Sequence, residues 1–207
     1  MKDRLVEIAV QEFGRHGFDA VGTRAIAEAA GSAMSAITYH FGGKQGLYLA
    51  VAEHIASSMR DKLHPTLATI PDPVNCSPRE AEDWCVHLVQ VFAAVMLRPE
   101  SEAWSLFIVR EQQQPTDAFK IILEKGMAAI VEPFMALVSV ARPELSEEAA
   151  RLTALFVLGQ ALMLRTGRAT MLHILQTTEI TPRLVELIEL RLEDNVRRIL
   201  QRPDVQP

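Results

Sequence analysis

The sequence predicts an all-α protein, and three observations carry that prediction. Apolar residues recur at helical spacing along most of the chain, as in Leu184, Leu187, Ile188, Leu192, Val196, Ile199 and Leu200. Prolines and glycines punctuate these stretches, and twice a capping residue stands directly before a proline, at Ser77–Pro78 and Thr181–Pro182. No run of alternating apolar and polar residues reaches the length of a convincing strand. The pattern divides into a small N-terminal module over residues 1–48 and a larger helical domain over 49–207.

Leu5, Ile8, Ala9 and Phe13 share one stripe, so residues 2–16 read as a first helix that ends near Gly17. Two short helices follow within Thr23–Lys44. Thr23 is suited to cap the first, whose inward face is Ile26, Ala27 and Ala30. Gly31 stands at the reversal, where left-handed backbone favours glycine. The second short helix runs over Met34–Phe41 with Ile37 and Phe41 inward, and Gly42–Gly43 ends it. A long amphipathic helix over 44–63 carries Leu47, Val51, Ile55 and Met59 on one side and is expected to stop at Pro65.

A proline-rich loop over 69–80 leads to Ser77, a good cap with Pro78 after it and Glu80 three residues on, so a helix is expected from there to about Leu97. Pro99 and Pro115 bracket another over 100–113. Thr116 is expected to cap a helix running to about Val140 with a kink at Pro133. Ser146 opens a very apolar helix over 147–166, a less regular stretch covers 167–180, and the last helix spans 183–201. No fixed period of 30–45 residues repeats, which argues against a solenoid.

Composition narrows the function classes. Apolar residues make up 49% of the 207 and net charge is −5, so the chain packs a core and is not a general polyanion binder. Residues 1–60 are neutral overall, with Lys2, Arg4, Arg15, Arg24, Lys44 and Arg60 balanced by Asp3, Glu7, Glu12, Asp19, Glu28 and Glu53. Cys76 and Cys85 are the two cysteines; a reduced pair and a disulfide are both open, but no secreted disulfide framework is present. No signal-peptide pattern or membrane-length apolar run appears, so the expectation is a cytoplasmic protein with no membrane partner.

Two helices joined by a tight turn are a device for placing side chains in the DNA major groove. On the second helix the face away from Ile37 shows Ser35, Thr38 and Tyr39, with Met34 and Ala36 beside them. Phe13, Gly17, Thr23, Ile26, Ala27, Ala30, Gly31, His40, Phe41, Lys44 and Leu47 together resemble the TetR family of one-component transcription regulators. The strings AITYHFGGKQGLY, FIVREQQQPTDAF (107–119) and GQALMLRTGRATML (159–172) look like the CecR-type branch of that family.

The resemblance implies an N-terminal three-helix helix-turn-helix DNA-binding domain and a larger ligand-binding and dimerisation domain. It implies that Thr23 meets a phosphate and that Arg24 reaches a guanine edge or a phosphate. Met34, Ser35 and Ala36 would front the recognition helix, where apolar Met34 and Ala36 suit thymine methyls. Thr38, Tyr39 and His40 would bond phosphates, and Lys44 would anchor the backbone together with a helix N-terminus. The chain departs from the family at Ser32–Ala33, where many members have Val-Ser; Ala33 as a cap loses roughly 1 kcal/mol against serine. Thr38 stands where many have tyrosine, which leaves one phosphate contact shorter or absent.

The partners implied are double-stranded DNA with a palindromic operator, a second copy of the chain and a small-molecule effector. Wide apolar faces on 147–166 and the last helix suit a four-helix bundle between subunits, or burial within one. Candidate effector liners are Trp84, Met96, Trp104, Phe107, Phe119, Met127, Phe134, Phe156 and Met163, whose character favours an apolar or aromatic compound; plain core is the alternative for each. Arg110 and Glu111 follow the apolar run LFIV and need partners there. They form a salt bridge, recognise the effector or relay its binding, and Gln160 and Arg165 carry the same choice. Enzyme signatures are missing: no G-x-S-x-G, no H-E-x-x-H, no glycine loop for phosphate, and scattered histidines. No cofactor or metal site is expected. The reading is a ligand-responsive regulator, expected to be a repressor; the rival is a helical interaction or small-molecule-binding module that makes no specific DNA complex.

Overall fold

A computed structural model describes residues 1–201; the end of the expected C-terminal domain, 202–207, lies outside the described residues. Eleven α-helices are seen among them and no strand. They are α1 (Lys2–Ala20), α2 (Thr23–Ala29), α3 (Met34–Phe41), α4 (Lys44–Leu67), α5 (Pro78–Leu97), α6 (Ser101–Gln113), α7 (Asp117–Ile122), α8 (Ala128–Ala141), α9 (Glu147–Thr166), α10 (Arg168–Ile174) and α11 (Pro182–Gln201). A 3₁₀ turn lies at Pro73–Asn75 and a π turn at Leu123–Met127.

Several boundaries follow their local chemistry. Ser77 and Glu80 form the full capping box: the Glu80 N–H donates to Ser77 Oγ at 3.3 Å, and the Ser77 N–H to Glu80 Oε2 at 2.8 Å. The Ser77 hydroxyl, which donates to Glu80 Oε2 at 2.6 Å, and the Ser77 N–H together hold the Glu80 carboxyl below its ordinary pKa. Thr116 and Ser146 cap α7 and α9 as expected.

Other boundaries differ from the sequence expectation. The cap of α2 is Gly22 and not Thr23, because Gly22 is extended (φ −90°, ψ 137°) and Thr23 already lies in the first turn. Residues after Gly17 resume helical structure, so α1 reaches Ala20 across a break. Pro65 removes one N–H but does not end α4; Ala68 still donates to His64 O at 2.9 Å. The expected single helix from Thr116 is interrupted by the π turn at 123–127, ahead of Pro133. The stretch 167–180 contains α10.

The chain forms two compact units: residues 1–62 with 99–129, and 63–98 with 130 onward. Compactness therefore divides the chain elsewhere than at residue 48, because α4 runs through that position and α6 packs on α1. In the first unit Leu5, Ala9, Phe13, Ile26, Ala27, Ile37, Leu47, Val51, Ile55 and Phe107 form the core. Gly14 sets the α1–α6 approach: a Cβ there would lie 2.3 Å from the Ala103 carbonyl oxygen.

The second unit is built on α5, α9 and α11. Ala150, Ala154 and Ala161 keep the buried side of α9 thin, and α11 buries Ile188, Leu192, Val196 and Leu200 at every fourth residue. The Arg197 guanidinium ties α11 to α5 through Glu82 at 2.9 Å and Asp83 at 2.7 Å. Cys85 is buried in α5, and burial pushes its thiol pKa up to about 12; Cys76 and Cys85 are both free thiols.

Candidate nucleic-acid interface

The interface is built on α2, the Gly31 turn and α3. Ile26, Ala27 and Ala30 are buried, Gly31 turns at φ 63°, and Ile37 anchors α3 at 1% exposure. Gly42, at φ 73°, caps α3 by donating its N–H to Thr38 O. Ala33 makes no side-chain cap bond, in keeping with its missing hydroxyl. Ile37 is the buried residue of α3, and Phe41 is half-buried. Met34 (57% exposed), Ser35, Thr38, Tyr39 (84% exposed) and His40 all face outward, and Ala36 is half-buried. A helix held by one deep side chain and a glycine cap thus presents a nearly continuous outer surface.

The cations around it are few, and two are engaged. Arg24 Nε donates to Glu28 Oε1 at 2.8 Å, an exposed i,i+4 pair worth a few tenths of a kcal/mol, on the order of 0.3–0.5. Lys44 Nζ donates to the Asp19 carbonyl oxygen at 3.4 Å and lies 4.5 Å from the Phe18 ring centroid. Thr23, half-buried, stands beside Arg24 at the start of α2. Sequence reasoning missed Lys2, whose Nζ lies 5.8 Å from the Phe41 ring centroid and brings a further cation to the end of α3. Only the fold joins the chain's second residue to that helix end.

The expected effector residues are not brought together. Trp104 and Phe107 belong to the first unit and are buried in it, and Met127 lies in its π turn. Met96 and Phe134 are core residues of the second unit. Trp84 meets His87 edge to face at 5.6 Å and lines an open groove with Glu80 and Asp83. Phe156 and Met163 are 70% and 51% exposed, on the outer side of α9, because Ala154, Val157 and Ala161 take its inner side. Gln160 Oε1 accepts from Asn195 Nδ2 at 3.0 Å, and Arg165 donates to the Arg98 carbonyl.

Arg110 and Glu111 are not paired with each other. Arg110 Nε donates to Gly14 O at 3.1 Å and its Nη2 to Arg15 O at 2.8 Å. Glu111, 2% exposed, accepts from the Tyr48 hydroxyl at 2.7 Å, the Thr116 N–H at 3.0 Å and the Thr116 hydroxyl at 2.9 Å. Burial, with the Glu111 bond, drives the Tyr48 pKa well above that of an ordinary phenol, so Tyr48 remains a donor. A cleft of about 410 Å³ opens beside these groups, lined among others by His16, Phe18, Gln45 and Gln114.

Among the described residues no helix is long and apolar enough to cross a membrane. An outward-facing helix packed on α2 across the Gly31 turn, in an all-helical chain, has the form of a helix-turn-helix DNA reader. Residues 5–51 match the model of the bacterial regulatory proteins of the tetR family, and residues 81–202 match the C-terminal domain of the HTH-type transcriptional dual regulator CecR. The chain belongs to the TetR family, with a CecR-type C-terminal domain, and is a DNA-binding transcriptional regulator.

It is 28% identical over 207 residues to the dual regulator CecR of Shigella flexneri, covering 97% of this chain and 91% of that one. Among solved structures it is similar to AibR in complex with isovaleryl coenzyme A and operator DNA, with TM-score 0.68, 12% identity and coverage of 94% and 96%. It is also similar to the fatty acid degradation regulator FadR of Bacillus halodurans, with TM-score 0.63, 18% identity and coverage of 93% and 98%. These two likenesses are of fold.

Proposed function

We propose that this chain is a cytoplasmic, homodimeric repressor that leaves a palindromic operator when a small apolar or aromatic effector binds, with no catalytic activity and no cofactor. The outward face of α3 carries the reading: Met34, Ser35, Thr38, Tyr39 and His40 stand exposed on a helix that Ile37 fixes in place. Residues 1–48 act as the DNA-reading module and 49–207 as the responsive part. Thr23, Arg24, Lys44, Thr38, Tyr39 and His40 hold phosphates or a base edge, and Met34, Ser35 and Ala36 meet bases. With a neutral N-terminal segment, one copy has little electrostatic grip, so two copies on adjacent major grooves are needed.

Leu152, Leu155, Phe156 and Met163 of α9, and Leu187 and Leu190 of α11, are exposed apolar residues, and their exposure supports a dimer. Gly159 lies in the same stretch of α9 with open space where a Cβ would be, which lets a partner helix approach closely. Phe156 and Met163 belong to that exposed set, and Trp84, Met96, Phe134 and Gln160 remain the effector candidates of the second unit. Effector binding shifts an existing equilibrium and so the spacing of the two recognition helices. A second reading, repression at one operator and activation at another, is favoured by the dual-regulator description of the relative that spans nearly the whole chain.

Selection of bound duplexes from a random pool tests the DNA reading. It should enrich a palindrome with half-sites about one helical turn apart; no enrichment, or an asymmetric single site, would oppose it. Phe156→Glu should give a monomer by sedimentation and lose operator binding. Equal operator affinity with and without the compound that stabilises the protein in a thermal-shift screen would end the effector claim.

A further inference from the structure

The string FIVREQQQPTDAF lies in the part of the chain that matches the CecR-type domain, and its Arg110, Glu111 and Thr116 bond within the chain. We propose that Arg110, Glu111 and Thr116 form a latch that positions the DNA-reading helices, and that they are positioning residues rather than effector contacts. The inference rests on the DNA-reading assignment above.

Two adjacent residues of α6 grip two different helices. Arg110 takes the backbone carbonyls of Gly14 and Arg15, just where α1 breaks. The break is real backbone geometry: Gly17 has φ 81° and ψ 171° inside an otherwise helical stretch. The last turn before a break leaves carbonyls without helical donors, and a guanidinium with fixed fork geometry supplies two. A Cβ on Gly17 would lie 3.2 Å from Arg110 Nη1, so the glycine serves both the turn and the guanidinium. Residues 18–20 then resume the helix, and Phe18 and Asp19 meet Lys44, the first residue of α4 after the recognition helix.

Glu111 grips α4. Its Oε1 accepts the Tyr48 hydroxyl, one turn after Lys44. Tyr48 is itself set in an aromatic cluster, 5.0 Å from Phe13, 5.0 Å from Phe18 and 4.6 Å from Phe107, ring centroid to centroid. The other carboxylate oxygen, Glu111 Oε2, accepts the Thr116 N–H and hydroxyl, while Thr116 Oγ1 accepts the Ala118 N–H at 3.1 Å and so caps α7. One carboxylate thus joins the end of α6, the start of α7 and the scaffold helix of the reader. A buried carboxylate must have its acceptor sites filled, so it tolerates few other geometries.

The latch also lies at a crossing in the chain. Residues 99–129 pack with residues 1–62, but they are continuous on both sides with segments of the other unit. The end of α5 and the start of α8 therefore flank, in the covalent chain, the segment that carries the latch.

The test uses the full-length protein without effector, on the duplex chosen by selection, at a temperature where circular dichroism shows every variant fully folded. Glu111→Ala should weaken binding by about tenfold, the scale of a single hydrogen bond to a charged group. Glu111→Gln should recover most of that loss, because its amide can accept from Thr116 and donate to the Tyr48 oxygen. Tyr48→Phe, which keeps the ring cluster, should weaken binding several-fold. Affinities of Glu111→Ala and Tyr48→Phe equal to that of the unaltered protein would overturn the proposal. So would equal losses in Glu111→Gln and Glu111→Ala. Binding by the unaltered protein separates this claim from the DNA-reading one. If that protein binds no duplex, amide exchange decides: faster exchange in α1 and α4 of Tyr48→Phe supports the latch, and unchanged exchange refutes it.

Discussion

Met34–Phe41 and Arg110–Thr116 lie in the same compact unit and use their polar groups in opposite ways. On α3 the side chains that matter point away from the protein, and one buried residue, Ile37, is enough to hold them. In the latch the polar groups are already bound within the chain: Arg110, though exposed, donates to two carbonyls, and buried Glu111 accepts from three donors. The first region is free to vary in what it touches. The second is fixed by what it already touches. A reader and its support are therefore under different physical constraints, and substitutions in the two should fail in different ways.

The largest effect is expected where the support itself is removed. Gly14→Ala places a Cβ against the Ala103 carbonyl at the α1–α6 crossing and should cost about 2–3 kcal/mol of stability. A thermal melt of the variant checks this; an unchanged midpoint would mean that the crossing can open without penalty and that the contrast between the regions is weak.

Next comes the reader. Met34→Ala should leave the fold unaltered, since the side chain is exposed, and should lose about 1 kcal/mol of discrimination at one base pair of each half-site. Competition between operators changed at single positions measures it. A uniform loss at all positions would move Met34 from base reading to general contact.

The smallest effect concerns Arg24. Glu28→Ala frees its guanidinium from an exposed pair worth about 0.3–0.5 kcal/mol. Operator binding should tighten by about twofold, more at low salt than at high salt. Weaker binding in this variant would show that Glu28 orients Arg24 for its contact and does not compete with it.

The contrast also explains what the sequence made legible. The helix-turn-helix was readable because its signals are local: Gly31 at the reversal, Gly42–Gly43 at the end, Ile26, Ala27 and Ile37 inward. The caps at Ser77, Thr116 and Ser146 were readable for the same reason. Thr23 misled because a threonine in the first turn and a threonine at the cap differ only in the backbone angles of Gly22.

The partners of Arg110 and Glu111 were not readable. Gly14, Arg15 and Tyr48 stand 96, 95 and 63 residues away, and backbone carbonyls carry no mark in a sequence. That a charged pair after LFIV needs partners was legible; that the two residues would turn to separate helices was not. Phe156 and Met163 looked like pocket or core residues because hydrophobic spacing does not say which side of α9 is covered within one chain.

The salt dependence of operator affinity separates reader from support most directly. It would be measured for the unaltered protein, Lys44→Ala and Arg110→Ala over one range of salt. Removing a cation from one phosphate lowers the slope of log affinity against log salt by about one unit. Lys44→Ala should show that flattening and weaken all sequences alike. Arg110→Ala should bind more weakly with the slope unchanged, because its guanidinium holds α1 and meets no phosphate. An equal flattening in both variants would contradict the account, since Arg110 would then touch the DNA backbone itself.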